Sequence, residues 1–354
     1  MAAVVLGVAG CSPVNGVAVT ASPLDVGSYP TAAVAVSAPP GIGTVLEGQR
    51  MAARVVLPTD VDTSLRRLES VNTGPVPNAQ ALRADIRARR AGIAEAHRFV
   101  AGFSSARSTA GEPAPATSVV NLVMRFPDTG AAAAAAREMA AAEPARPVAI
   151  GHHRDSLALV VTMPRGVIVE SFTPRGPYVL YQWVQTRNTV EAAMGLIAGI
   201  LDLQGPRIDE FTPTDPARLA ELPIDPTGLL AHTLPPAVGV YSAPGALHFE
   251  HDPVRAAELF DAAVVTAVAL GRATIYETES SSGATLLAEN LPSGATTAAD
   301  AITGVPNGSC VDLGAGPSRY GCHGTRGQYA FTTTSADLHD ARQQAAAQFL
   351  MLGG

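Results

Sequence analysis

Residues 119–203 and 273–352 run through the same succession of hydrophobic periods, and this repetition limits the fold more than any other feature. In the first stretch, VVNLVMRF (119–126) has the β-branched content of a strand, and Asp128 or Thr129 then caps a helix through AAAAAAREMAAA, where alanine propensity is highest. Three strand candidates follow at 157–163, 167–173 and 178–184, separated by the turns Pro164-Arg165-Gly166 and Pro174-Arg175-Gly176, before a helix at 190–203. The second stretch offers a strand at 273–278, a helix at 282–291 opening on Ser-Ser-Gly, strands at 310–313, 320–324 and 328–334, and a long amphipathic helix at 337–352. QYAFTTTSADLHDARQQAAAQFLML lies against YVLYQWVQTRNTVEAAMGLIAGILDL with the same strand-to-helix layout. Strands joined by such short turns pair antiparallel. The expectation is an α+β chain of two domains, each an antiparallel sheet with helices packed on one face, the strand–helix–three strands–helix unit being duplicated. With 354 residues the chain is long enough for two cores.

The remaining segments fill in around that frame. Residues 78–103, including ALRADIRARRAGIAEAHRFVAGF, read as one helix with apolar positions at 82, 86, 93 and 100. Arg83, Arg87 and Arg90 then share a face, which is either an anionic-headgroup patch or, more simply, a solvated face of Arg–Asp/Glu pairs. A loop is expected at 108–117, a Pro-rich connector at 206–236 and one further strand or hairpin at 239–249. Asp252-Pro253 has the form of a cap followed by proline in the first turn of a helix. The N-terminal domain is placed at 45–215 and the C-terminal domain at 216–354.

Composition removes several chemistries. Hydrophobic residues make up 47%, enough for a core, and the net charge of −7 argues against nucleic acid as a partner. The chain contains no lysine, so a Walker A loop, a pyridoxal Schiff base and a Ser–Lys pair are all excluded.

The front of the chain reads as an address. Residues 2–10 are apolar but only nine in number, too few to span a bilayer core that needs roughly 20. They resemble the end of a secretory signal peptide (1–10), and Val8-Ala9-Gly10-Cys11 resembles a bacterial lipobox. In that class of signal, diacylglycerol is transferred to the cysteine thiol and the leader is cut before it. Cys11, as diacylglyceryl cysteine with a further acyl chain such as palmitate, would then lead a flexible spacer over 11–44. Such a leader begins with Lys or Arg, yet the first charged residue is Asp25, so a start upstream of Met1 or a trimmed chain is expected. The alternative is a buried apolar N-terminal strand with an incidental cysteine. Once Cys11 is acylated, Cys310 and Cys322 remain as an even pair in an exported chain, and a disulfide is favoured over free thiols or a metal pair. Closing that short loop would stabilise by about 3 kcal/mol in the chain-entropy model.

Candidate chemistry is sparse. HFEHD (248–252) is the best metal-like cluster: on a strand His248 and Glu250 would share a face, with His251 and Asp252 just past its end. It lacks an HExxH-type partner, and GHHRDS (151–156) reads as a solvated loop. No G-x-S-x-G elbow is present, and neither GIGTVLEG nor GAGPSRYG has the context of a dinucleotide loop. Tyr181 and Trp183 share one strand face, as core residues or as the lining of a ligand cleft. No cofactor and no metal site are expected.

Seven phrases, GSYPT (27–31), LEGQRMA (46–52), GFSSARS (102–108), GPYVLYQW (176–183), LPIDPTGLLAHTLP (222–235), GVYSAPGALHF (239–249) and QQAAAQFLML (343–352), carry a resemblance to an uncharacterised lipoprotein family of mycobacteria and related actinobacteria. The resemblance covers nearly all of the mature chain and implies N- and C-terminal domains of unknown function behind a lipobox cysteine, export, anchoring and the C-terminal disulfide. It implies no activity. The expected role is therefore a lipoprotein tethered to the extracytoplasmic face of the cell membrane through its acyl chains, working as a non-catalytic binding or scaffolding module. Its partner would be an envelope lipid, glycan or protein. A hydrolase or transferase with a site between the domains, and a structural envelope component, are the alternatives.

Overall fold

Short turns and β-branched runs pair the strands antiparallel throughout. The computed structural model describes residues 24–111, 113–291, 297–314 and 316–353, the first four of the third stretch by their backbone alone. The leader, with Val8, Ala9, Gly10 and Cys11, and the start of the spacer lie outside the described residues.

In the first half, α1 (Ile42–Ala52) leads to β1 (Arg67–Leu68), β2 (Gly74–Val76), α2 (Ala88–Ala96), β3 (Ala101–Ser108), β4 (Thr117–Arg125) and α3 (Thr129–Ala141). Then come β5 (Arg146–Val148), β6 (Leu157–Met163), β7 (Gly166–Arg175), β8 (Tyr178–Thr186) and α4 (Val190–Asp209). Their sheet has the order β1-β3-β4-β8-β7-β6-β5, with β2 also paired to β3. The second half holds β9 (Gly239–Ser242), α5 (Ala243–Ala246), α6 (Pro253–Ala263), β10 (Val265–Leu270), β11 (Ala273–Thr278) and α7 (Ser281–Asn290). It closes with β12 (Thr297–Ala301), β13 (Ser309–Asp312), β14 (Tyr320–Arg326), β15 (Tyr329–Ser335) and α8 (Leu338–Met351), in the order β9-β10-β11-β15-β14-β13-β12. From α2 and from α6 onward the two halves follow one plan: helix, two strands, helix, four strands, helix. The expected repeat is thus present in element order and strand order alike. Cys310 and Cys322 sit directly opposite each other on β13 and β14 and are bonded.

The caps expected at Asp128 and Asp252 are present, and Thr189, Ser280 and Asp337 add three more. Asp128, Thr189, Asp252, Ser280 and Asp337 each accept a hydrogen bond from a backbone N–H in the first turn of α3, α4, α6, α7 and α8. α4 runs six residues past its expected end and through Pro206. The buried Gln204 holds that last stretch, accepting from Val56 N and donating to the Arg54 carbonyl.

The α+β class holds, with one correction: helices cover both faces of each sheet. On the first sheet Leu122, Met124, Val179 and Tyr181 pack with α3, whereas their neighbours Val123 and Leu180 pack with α4. On the second, Ile275 and Phe331 pack with α8, whereas Tyr276 and Ala330 pack with α7. Central strands apolar on both sides need cover on both sides.

Three local expectations are also corrected. The helix expected over 78–103 is a 3-10 turn (Ala81–Ala84) and α2, followed by the central strand β3; Arg98, at φ 61°, breaks the helical run. Arg90 is buried, not part of a solvated face: it pairs with Glu170 on β7 and donates to the Met139 carbonyl. The flexible spacer expected over 11–44 does not extend over its second part. Tyr29 donates to Asp340 on α8 (2.7 Å), Val34 N donates to the Ala231 carbonyl (2.8 Å), and α1 begins at Ile42.

The two sheets meet across α1, which touches β2 and β3 on one side and β9 and α5 on the other. Gly48 permits the approach, since a Cβ there would come within 2.6 Å of the Gly102 carbonyl oxygen. Two buried side chains then cross the junction. Arg107 on β3 donates to the carbonyls of His248 (2.8 Å) and Glu250 (2.7 Å), and its other terminal nitrogen reaches Arg66 O (2.9 Å). His248 lies 3.0 Å from the Ala52 carbonyl through Nε2, which must therefore carry the proton, leaving Nδ1 to accept from the Ser105 hydroxyl at 2.8 Å. Burial lowers the His248 pKa to about 3.

A folded pKa below the unfolded value of about 6.5 contributes stability that is complete above pH 6.5 and is lost as pH falls. For His248 the loss reaches about 2 kcal/mol at pH 5. Asp85 opposes it, because burial raises its carboxyl to about 6 and its protonation favours the fold. The expected outcome in urea melts is that His248→Gln flattens the fall in stability between pH 7.5 and 5 by about 2 kcal/mol. An unchanged slope would contradict a neutral, buried imidazole.

Candidate functional site

Directly opposed residues on neighbouring strands share a face, so the register of the second sheet fixes a transverse row of side chains. Leu270 on β10 opposes Thr274 on β11, which opposes Thr332 on β15. Thr332 opposes His323 on β14, and His323 opposes Ser309 on β13. The adjacent row, Val268, Tyr276, Ala330 and Thr325, is buried; its first three members pack with α6 and α7. The Thr274–Thr332–His323–Ser309 row lies at the margin of that cover, and Thr274 and Thr332 remain partly exposed.

Here a cleft of about 350 Å³ opens, with Thr274, Thr332 and His323 on its floor. One wall is α6, through Arg255 and Leu259; the end of α7, through Asn290 and Leu291, forms another; and Phe249 to Asp252 closes one end. A shallower depression continues past His323 and Val311 to Ser309 and Asn307. On the same side of the first sheet, α2 and α3 leave a packed core in which Arg90, Glu170, Phe172 and Tyr181 are buried.

The cleft's polar groups are held in defined states. Ser309 Oγ is 2.9 Å from His323 Nε2, and burial lowers the pKa of that imidazole, keeping it neutral at neutral pH. At the closed end the Tyr276 hydroxyl donates to Glu250 at 3.0 Å. Burial raises the Glu250 carboxyl, and the Tyr276 bond and the Arg107 charge offset part of the shift. Asp252 caps α6 and pairs with Arg66 of the first half at 2.9 Å, while Arg255 donates to the Asn290 carbonyl and ties α6 to α7.

The sequence candidates are dispersed, not convergent. HFEHD does not lie on a strand; Leu247–Phe249 is a 3-10 turn, so His248 points into the junction with both ring nitrogens engaged. Glu250 lines the cleft and His251 stands exposed at its rim. Among the described residues, no group of three or more His, Cys, Asp or Glu could hold a metal ion. Tyr181 and Trp183 belong to the first sheet. Tyr181 is buried and donates to Glu170, and Trp183 packs beside it. The row residues Thr274, Thr332, His323 and Ser309 escaped the sequence reading. Their one signal is alternation in QYAFTTTS, where Phe331 faces α8 and Thr332 faces the other way.

Residues 34–224 match the family model described as domain of unknown function (DUF7373) N-terminal, and residues 229–354 match the one described as domain of unknown function (DUF7373) C-terminal. No curated protein matches the chain. Among solved structures, the extracellular domain of PknH from Mycobacterium tuberculosis is 13% identical with a TM-score of 0.28, over 44% of this chain and 94% of that one. A similarity of that size carries no functional weight.

Because the Tyr276 hydroxyl stabilises the ionised carboxylate, Tyr276→Phe is expected to move the Glu250 pKa further up. The carboxyl carbon of Glu250, followed by NMR against pH, reads this directly, and a shift downward would contradict the assigned donor.

Proposed function

The chain belongs to the DUF7373 family of paired N- and C-terminal domains of unknown function, and from that premise we propose an exported lipoprotein, anchored through acyl chains on Cys11, whose second domain is a non-catalytic binding module. The single observation that carries the binding role is the cleft left open on the second sheet, on the side that the first sheet fills with a packed core. Cleft walls built from Phe249, Leu259 and Leu291 over a floor of hydroxyls suit recognition of a ligand with both apolar and polar parts. The anchoring role is supported by Val8-Ala9-Gly10-Cys11 and by the Cys310–Cys322 disulfide, which belongs in an oxidising compartment. Among the described residues no helix is long and apolar enough to cross a membrane. The proposed attachment is the lipid on Cys11, where two or three acyl chains hold firmly and one does not.

A hydrolase is the second reading, favoured by the 2.9 Å approach of Ser309 Oγ to His323 Nε2. Burial lowers the His323 pKa, whereas the carboxylate of a catalytic triad stabilises the imidazolium and would raise it. The junction between the sheets, where a catalytic site was the alternative expectation, is filled by the Arg107 and His248 bonds.

Membrane fractionation followed by native mass spectrometry tests both parts. Cys11→Ala is expected to move the protein from the membrane to the soluble fraction. The exported protein is expected to carry a bound species that Thr334→Trp, a bulky side chain at the cleft, excludes. Retention of Cys11→Ala on membranes would contradict the anchor, and an empty exported protein would contradict the binding module.

A further inference from the structure

We propose that the Thr274–Thr332–His323–Ser309 row is the contact line for a neutral glycan segment, a few sugar units long, lying across the strands of the second sheet. This deepens the binding-module reading and rests on it.

Strand spacing sets the geometry. Neighbouring strands are about 4.8 Å apart, so the row spans roughly 14 Å with one polar group per strand. That interval is comparable to the length of one pyranose unit, so successive sugars would meet successive side chains. Hydroxyls and a neutral imidazole both donate and accept, which is what a sugar hydroxyl requires of its partner. Burial keeps the His323 imidazole uncharged, so the row presents no cation.

Charge and shape exclude the rival classes. An anionic ligand would meet Glu250 and Asp252 in the lining, and Arg255, the lining guanidinium, already donates to the Asn290 carbonyl. Ser309 and His323 bond each other and Thr332 bonds Tyr276, but each keeps further donor or acceptor capacity, which a bare acyl chain would cover without using. A sugar has C–H faces as well as hydroxyls. Phe249, Leu259 and Leu291 stand where those faces would rest. Glu250, held by Tyr276, adds an acceptor at the closed end, where a terminal sugar hydroxyl would donate.

The test is a titration of the full-length protein with three probe sets: neutral pentose and hexose oligomers of two to four units, the same oligomers carrying carboxylate or phosphate, and dodecanoate. At least one neutral oligomer is expected to bind, and to bind roughly tenfold more weakly to Thr332→Val and to Thr274→Val, near-isosteric changes that delete one hydroxyl each. Thr266→Val, on β10 and absent from the cleft lining, serves as the folded control and should bind as the parent does. Neutral binding that ignores both floor substitutions would overturn the proposal, as would preference for the charged oligomers. Dodecanoate binding blocked by Thr334→Trp, with no neutral oligomer bound, would overturn the glycan assignment while leaving the binding module intact. No binding of any probe, together with an empty exported protein, would overturn both.

Discussion

One hydrophobic core runs from the first half of this molecule into the second, and a buried guanidinium, Arg107, is bonded across that join. Arg107 sits in β3 of the first sheet, fully buried, and carbonyl oxygens, not a carboxylate, accept its hydrogen bonds. Two of those carbonyls, His248 and Glu250, lie where the chain leaves a 3-10 turn, with partial negative charge facing the cation. Burial lowers the Arg107 pKa to about 10, which still leaves the group charged at neutral pH. Arginine suits this role because its planar fork can serve several acceptors at once, whereas a lysine would be a point charge costly to desolvate. The segment it grips, 247–250, runs into the closed end of the cleft, which Phe249 to Asp252 form. The junction and the candidate site therefore share their scaffold, and Arg66, one strand away, adds a second hold through Asp252.

On this scaffold the two halves use one plan for different ends. Each sets two strands, a helix, four strands and a helix in the same order, and each covers both sheet faces. The first half closes the α2–α3 side with a buried ion pair, Arg90–Glu170, whose acid also accepts from Tyr181. Such a pair is costly to bury and gains its place through satisfied hydrogen bonds. The second half has threonines and a histidine on the corresponding floor, and a cleft remains. The contrast between a packed core and an open floor on one plan is what supports the proposal that the second half is the binding part.

What could be read from the sequence divides along physical lines. β4, β6, β7, β8, α3 and α8 were legible because strong periodicity and side-chain caps such as Asp128 and Asp337 mark them locally. β3 was not, since AGFSSARS holds small and polar residues whose burial comes from long-range bonds, Ser105 to His248 and Arg107 to the 247–250 carbonyls. β10 was missed because α6 ends on Val264 at φ 52°, a position where a β-branched residue gives no warning of a left-handed turn. The second part of the spacer looked free because its contacts, Tyr29 to Asp340 and Val34 to Ala231, reach far along the chain. For the candidate site, the polar alternation of β15 was visible, but only the placement of α6 turns that face into a floor.

If the Arg107 bonds make one cooperative body of the two sheets, scanning calorimetry of Arg107→Met will show it most directly. The parent protein should unfold in a single transition. The variant should show two, with the second half, freed from its clamp, melting at the lower temperature. A variant that unfolds in one transition at the parent's temperature would show that the halves are joined by something other than this cation.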